Sequence, residues 1–495
     1  MKKLCLLLAL LLLLSGCAKN QPQPTQPTVV TTVPTPPAEP QLVFFDIYAI
    51  NDLHGKLADT DFQPGVDELS TYLKQTENTI LLSTGDMWQG ASESNLTGGL
   101  MVTEWMNRLD FAAMTLGGHE FDWGQEQIRQ NQQLAEFPFL AINIYDRETD
   151  AQADYCESSV IVDIEGAQIG IIGAIGNCYS SIAAENTKGV YFKNGEELTQ
   201  LVKAEAEKLR NDGADFIIYA IHDGYDQNSD GVNAVAVENQ ALESYYDATL
   251  SDGYVDIVFE ADSHFWYTLT DEHGVYHLQA GGNNTGISHA TVMLDLTSGT
   301  STVMTAELIP ASKYYILEDD PVVAELMEKY ADLIQPAQRI VGTNGKYRNK
   351  EAICQLVADL YCNAGVQKWG KDYDIVLGGG YMSCRSPGYL PTGQVSYSQL
   401  QSLLPFDNQI TLCSISGRDL LDKFLETDHY AYYIKTTAYG ESIRSTIDPD
   451  GTYYVVTDSY TSDYAYNNMT VIDTYDPYIF ARDLMADYIT QGGLS

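Results

Sequence analysis

The chain has 495 residues, with 68 acids against 27 lysines and arginines and a formal net charge of −41. So acidic a protein argues against nucleic acid as its ligand, because binding a phosphate backbone by counterion release needs lysine and arginine. The length exceeds one ordinary core, and hydrophobic residues at 44% can fill two.

Residues 1–17 (MKKLCLLLALLLLLSGC) join two lysines to an apolar run that ends in Leu14-Ser15-Gly16-Cys17. The run is short for a membrane span and closes on small residues, which predicts a cleaved lipoprotein signal peptide. Cys17 is then the lipidated first residue, and the mature protein is exported, extracytoplasmic and lipid-anchored to the cell membrane. Residues 18–40, rich in Pro, Thr and Gln, read as an extended tether.

From Leu42 to about Leu296, apolar strand-like runs alternate with helical stretches, which predicts an α/β unit with largely parallel sheet. The first run ends in Asp52-Leu53-His54-Gly55. Residues two apart on an extended segment share a side, so Asp52 and His54 can reach one cation. Val66, Leu69, Tyr72 and Leu73 follow at helical spacing. Four further runs, Thr79 to Asp86, Ala112 to His119, Asp215 to His222 and Asp256 to His264, each place Asp or His just past their last apolar residue. Strands side by side present their carboxyl ends along one edge, where α/β sheets bind ligands. His119 and Asp122, three apart, are neighbours on a helical turn. Val160 to Ile164 and Gln168 to Ile175 read as a hairpin, so the sheet is mixed.

The loop from Asp226 to Gly231 has calcium-loop character but lacks Glu at its twelfth position, where Val237 stands, and reads as a solvated polar loop. A helix is expected from Pro321 to Pro336. Beyond Val341 a second α/β unit begins: helix from Lys350 to Ala364, strand from Asp374 to Leu377, Gly378-Gly379-Gly380 with a tight turn as the plainest reading, short strands to about Thr470, and a closing helix from Tyr478 to Ile489. Cys156, Cys178, Cys354, Cys362, Cys384 and Cys413 show no C-x-x-C spacing and read as small buried thiols.

In order, Asp52-x-His54-Gly55, Gly85-Asp86, Gly118-His119-Glu120 with Asp122, His222-x-Gly224 and Ser263-His264 resemble the calcineurin-like metallophosphatases. Within that superfamily the chain is similar to bacterial 5′-nucleotidases; Gly378 and Pro405-Phe406-Asp407-Asn408 resemble their C-terminal substrate domain. The resemblance implies a four-layer αββα sandwich over 41–310, a linker helix over 311–340 and a smaller α/β substrate-binding domain over 341–495. It implies one or two divalent metal ions (manganese, zinc or iron), with Asp86 bridging and Asp52, His54 and His264 completing the first set. The second set retains Asp86, His222 and Asp262. Gly118 stands where the family has Asn, and Asp262 where it has His.

The resemblance also makes His119 and Asp122 the catalytic acid pair, with Phe406, Asn408, Tyr460, Gly379, Gly380 and Arg385 meeting a nucleotide. Leu377 replaces an expected Asn, and Ser462-Asp463-Tyr464-Ala465 replaces a glycine-rich run. The implied function is a cell-surface 5′-nucleotidase. Cleavage of 2′,3′-cyclic nucleotides or nucleotide sugars, and non-catalytic binding of nucleotide or metal, stay open alternatives. Nothing in the sequence points to a protein partner. The negative field opposes a phosphorylated substrate unless bound cations invert the local sign.

Overall fold

In the first strand, β1 (Leu42–Ile50, LVFFDIYAI), alternate side chains go to opposite faces, and both faces are apolar toward its carboxyl end. Val43, Phe45, Ile47 and Ala49 pack toward a second sheet, while Tyr48 and Ile50 join the helices behind. A strand buried on both sides belongs in the middle of a layered fold. The computed structural model describes residues 39–58, 65–224, 250, 252–380, 384–385, 388–425, 433–436, 444–465 and 468–494. The expected signal peptide with Cys17, nearly all of the expected tether and the 226–231 loop lie outside these residues.

β1 pairs in parallel with β2 (Thr79–Ser83), which leads on through β3 (Ala113–Thr115) to β4 (Phe139–Leu140). A second series contains β5 (Ser159–Ile164) and β6 (Ala167–Ile175), the expected hairpin, then helix α1 (Glu196–Asn211) and β7 (Phe216–His222). It continues with β8 (Ile257–Phe259), β9 (Trp266–Thr270) and β10 (Tyr276–Ala280). Finally β11 (Gly286–Asp295) and β12 (Thr300–Pro310) return to the first sheet as an antiparallel pair.

The sheet orders are β12-β11-β1-β2-β3-β4 and β9-β10-β8-β7-β6-β5. Between them lies a core of Phe45, Ile47, Leu82, Ile169, Ile171, Phe216, Ile218 and Phe259. Helices cover the outer face of each, with Trp105, Met106 and Ile128 on one side and Leu198, Val202 and Leu209 of α1 on the other. This is the four-layer αββα arrangement, with both sheets mixed.

The second part of the chain packs helix α2 (Lys350–Trp369) on a mixed sheet. Its strands are β13 (Ile375–Gly380), β14 (Ile410–Ser416), β15 (Tyr433–Thr436), β16 (Thr452–Asp458) and β17 (Thr470–Thr474), in the order β15-β13-β16-β14-β17, and helix α3 (Ala481–Thr490) closes the chain. Two expectations differ from what is observed. The helix starting near Pro321 runs only over Val322–Lys329, then breaks at Tyr330 into a short helix Ala331–Ile334 and a 3-10 turn Gln335–Gln338, where Pro336 cannot donate to a continuing ladder. Gly378-Gly379-Gly380 is strand rather than turn. A Cβ on Gly378 would sit 2.4 Å from the backbone nitrogen of Cys362, so glycine there lets α2 lie against the sheet.

Candidate metal centre and active site

β1, β2, β3, β7 and β8 all run toward the same end of the sandwich in parallel register. The turns leaving them carry Asp52 and His54, Asp86, His119, His222, and Asp262 and His264. Among the described residues, eleven non-glycine positions have positive φ, and five are candidate ligands: Asp52, His54, Asp86, Asp262 and His264. Such backbone is uncommon outside glycine and concentrates where a site dictates side-chain direction.

Two overlapping clusters result. In one, Asp52, His54 and His264 bring their ligand atoms within 4.8 Å of one another. His54 Nδ1 donates to the Gln89 carbonyl at 2.8 Å, which turns its Nε2 lone pair inward to 3.1 Å from His264 Nε2. His264 Nε2 lies 3.3 Å from Asp52 Oδ1. Asn51 Nδ2 donates to Asp52 Oδ2 at 2.7 Å, and the Asp262 amide donates to the same carboxylate at 3.1 Å. Burial and the neighbouring His264 hold His54 well below the usual imidazole range, so it stays neutral and able to ligate.

The other cluster groups Asp52, Asp86 and His222, and around the same imidazole Cys178, His222 and Asp262. His222 is fully buried; its Nδ1 donates to the Thr84 carbonyl at 2.6 Å. Its Nε2 makes no hydrogen bond and points between Asp86 Oδ1 at 3.3 Å and Asp262 Oδ1 at 3.9 Å. Asp86 also belongs with His54 and His119, so its carboxylate stands between the two clusters, where a bridge belongs. Burial alone would raise the Asp86 carboxyl, but the imidazoles of His222 and His119 outweigh it and hold it well below the carboxylate range.

His119 opens a short 3-10 turn, and its amide donates to Asp86 Oδ1 at 2.8 Å. Its Nδ1 meets Asp122 Oδ2 at 2.8 Å, and its Nε2 meets Arg385 Nη2 at 2.7 Å. Burial would lower the His119 pKa, but Asp122 and Asp86 outweigh it and the net shift is upward. The Phe406 ring stacks on His119 with centroids 5.8 Å apart, and the Arg385 guanidinium lies 5.1 Å from the Phe406 ring centroid. The structure thus brings the candidate metal ligands, the His119–Asp122 pair, Phe406 and Arg385 into one place. Asn408 and Tyr460 leave the same end of paired strands β14 and β16, joined by the Ser459 amide on the Gln409 carbonyl at 2.8 Å. Gly379 is paired with Ile434 on β15, and a Cβ on Gly380 would lie 3.0 Å from Asp458 Oδ2.

Sequence reasoning assigned no role to several residues at this centre. Glu120 is fully buried and accepts from the amides of Asp86 at 2.9 Å, Met87 at 2.8 Å and Gly117 at 2.7 Å, fixing the turn that carries the Asp86 carboxylate. Burial and the adjacent Asp86 push its carboxyl up to about 7. Its place directly after His119 was the available signal. Lys56 lines a small cavity with His54, Asn283 and Ser402 and, beside Arg385, which the sequence already assigns to substrate, supplies positive charge within an acidic protein. Burial brings the Lys56 ammonium down to about 8. Arg482, nearly buried, donates to the Phe406 carbonyl at 3.1 Å and pairs with Asp407, holding the loop that presents the aromatic ring.

The donor set fits divalent cations. An orphaned buried imidazole nitrogen, two facing imidazoles and a carboxylate between two clusters are what a binuclear centre needs, and each is costly without an ion.

No family model matches the chain. It is 24% identical over 422 residues to the 5′-nucleotidase of Vibrio cholerae, covering 75% of this chain and 73% of that one. It is 25% identical over 414 residues to the endonuclease YhcR of Bacillus subtilis, which is 76% of this chain but only 32% of that longer protein. The crystal structure of a 5′-nucleotidase precursor from Thermus thermophilus superimposes with a TM-score of 0.72 at 16% identity, covering 91% of this chain and 96% of that one.

Proposed function

We propose, from the similarity of this chain to 5′-nucleotidases and the fold it shares with one of them, that it is a metal-dependent phosphomonoesterase that releases phosphate from nucleoside 5′-phosphates. The single observation that carries the reading is the meeting of the His119–Asp122 pair, two carboxylate-imidazole clusters and the Phe406–Arg385 contact at one end of the sandwich.

Divalent cations held by Asp52, His54, Asp86, His222, Asp262 and His264 would neutralise the phosphoryl oxygens and make water a competent nucleophile. Asp122 accepts from Nδ1 of His119 and directs Nε2 toward the site. Protonated there, His119 gives its proton to the departing 5′ oxygen, a task worth roughly 10²–10⁴ in rate. Arg385, beside the same nitrogen, pairs with phosphoryl oxygens, and Phe406 offers its face to the base.

The test is phosphate release from AMP, GMP, CMP and UMP by the metal-loaded chain, beside 2′,3′-cyclic AMP, a nucleotide sugar and His119→Ala. Turnover of monoesters that falls roughly 10²–10⁴ in the variant is expected. Tight AMP binding without turnover in manganese, zinc and iron would overturn the reading in favour of a non-catalytic binder. The similarity to an endonuclease favours a second reading, phosphodiester cleavage, which faster turnover of the cyclic nucleotide would establish.

The proposal extends to the address. A signal peptide over residues 1–17 with lipid on Cys17 places the enzyme outside the cell at the membrane surface. Incorporation of a labelled fatty acid into the full chain but not into Cys17→Ala is the expected result.

A further inference from the structure

His222 Nε2 is a fully buried ring nitrogen that makes no hydrogen bond and faces the Asp86 carboxylate at 3.3 Å. Asp86 and Asp262 lie on two of its sides. On a third the structure places a thiol, and Cys178 Sγ, His222 and an Asp262 oxygen come within 4.8 Å of one another. β6 and β7 pair in parallel with Ile175 opposite His222, so the turn after β6, which carries Cys178, leaves the sheet beside the imidazole. The Gly176 amide donates to the His222 carbonyl at 3.0 Å, and Cys178 Sγ lies 3.7 Å from that same oxygen. The thiol is therefore placed by sheet register.

Gly118 borders the same space and brings no side chain. A Cβ built there would point at Cys178, 3.6 Å from Sγ and 3.8 Å from Cβ. The space beside residue 118 is thus filled by the cysteine and by Ile182, 3.9 Å away. A small buried hydrophobe would suit this position as packing, but it would not explain an orphaned imidazole and two carboxylates converging on the same point.

Resting on the metallophosphoesterase reading, we propose that Cys178 is a ligand of the second cation, with His222, Asp262 and the Asp86 carboxylate completing its set. On binding, the S–H bond breaks, a sulfur–metal bond forms and the proton leaves to solvent. One thiolate, one imidazole and carboxylate oxygens make a softer site than the oxygen-and-nitrogen cluster at Asp52, His54 and His264. It therefore selects zinc, iron or cobalt over magnesium, calcium or manganese. The two cations then differ in kind, the second being held by sulfur.

Cobalt titration of the metal-free full chain tests this. Wild type should bind about two equivalents, and a near-ultraviolet sulfur-to-cobalt charge-transfer band should grow with one of them. Cys178→Ser should lose that band, keep the visible bands of the other cation and bind the second equivalent roughly 10- to 100-fold more weakly, a loss of the size seen when a metal site's shell is altered. Cys413→Ser, in the distant C-terminal sheet, should retain the band. Two bound cobalt ions without a charge-transfer band in wild type, or a band unchanged in Cys178→Ser, would overturn the assignment of Cys178 and leave the phosphatase reading intact. A wild-type chain that binds no metal would overturn both. Absence of the band in wild type overturns the assignment even if Cys178→Ser misfolds, and Cys178→Ala, which should lose the band in the same way, serves as the second variant.

Discussion

Arg385 donates through Nη2 to Nε2 of His119 at 2.7 Å, while Nδ1 of the same ring is held by Asp122 at 2.8 Å. The imidazole is thus addressed from both sides, by a carboxylate of its own turn and by a guanidinium more than 260 residues away in sequence. With Nε2 accepting from Arg385, the ring is neutral in this arrangement. A phosphoryl group entering between them would take the guanidinium for itself and free Nε2 to carry the proton.

Replacing Arg385 with Gln should reduce kcat/KM for AMP roughly 10- to 100-fold, the worth of one charge-assisted hydrogen bond. The pH profile gives the finer check. Arg385 lowers the His119 pKa, so its removal lets that pKa rise. An acid catalyst loses activity as pH climbs through its pKa, hence the alkaline limb of kcat should move to higher pH. A limb that stays in place would show that Arg385 acts on substrate alone.

Asp122→Asn should move the same limb the other way. Asp122 raises the His119 pKa by charge and by hydrogen bond, against the lowering effect of burial. Without its charge the imidazole deprotonates earlier, so activity is lost at lower pH, and kcat at neutral pH should fall roughly 10-fold or more. If the alkaline limb of Asp122→Asn stays where wild type has it, Asp122 is not the group that orients and charges the acid.

Much of this centre was legible in the sequence because its chemistry sits at strand ends. Asp52, Asp86 and His222 each follow an apolar run, and the run-then-ligand pattern survives folding because parallel register sends all the ends to one edge. Cys178 was not legible in the same way. It follows β6 as the other ligands follow their strands, but a thiol after an apolar run is ordinary core composition, and only the pairing of Ile175 with His222 brings it to the metal cluster. Arg385 could be placed near substrate by resemblance alone; its contact with His119 is a tertiary fact about two distant segments. Gly378 to Gly380 misled because three glycines favour a turn locally, whereas here a helix backbone approaches the strand and requires the absence of a side chain.

Gly117→Ala should cost the centre at least one cation while leaving the rest of the fold in place. A Cβ at 117 would lie 2.4 Å from Asp86 Oδ1, 2.7 Å from the Asp86 amide nitrogen and 2.7 Å from His222 Cε1, so the turn itself must shift together with the carboxylate or the imidazole. Gly118→Ala meets nothing closer than 3.6 Å and serves as the neighbouring control. Metal analysis should show at least one cation lost from Gly117→Ala, with circular dichroism like wild type and Gly118→Ala. Full metal content in Gly117→Ala would contradict the packing described for this turn.

A buried histidine behind the site sets a pH dependence of stability. His277 on β10 is fully buried, with Nδ1 3.1 Å from Glu260 and Nε2 3.5 Å from Asp271. Burial lowers its pKa, but the two carboxylates outweigh that and raise it from 6.5 to about 9. Because the folded pKa is the higher one, the stabilisation is full below pH 6.5 and is lost as pH rises through 9. The shift corresponds to an upper value on the order of 3 kcal/mol. In urea, the midpoint gap between wild type and His277→Gln should be widest near pH 6 and narrow toward alkaline pH. A gap constant with pH would show that His277 is neutral in the folded chain.

Phe406→Ala should separate base recognition from phosphate chemistry. The Phe406 ring stacks on His119 at 5.8 Å, on a loop fixed by Arg482, so in the arrangement observed an aromatic face covers the imidazole proposed as the acid. A base stacking on the Phe406 ring away from His119 gains about 1–3 kcal/mol, equivalent to roughly 5- to 150-fold in KM for a nucleotide. A substrate without a base, such as ribose 5-phosphate, has nothing to stack, so its KM should change little. Steady-state kinetics on the two substrates with the same variant would decide the matter. Equal losses would mean that Phe406 supports His119 rather than the base, and the nucleotide preference would have to reside in Asn408, Tyr460 or another surface of the C-terminal sheet.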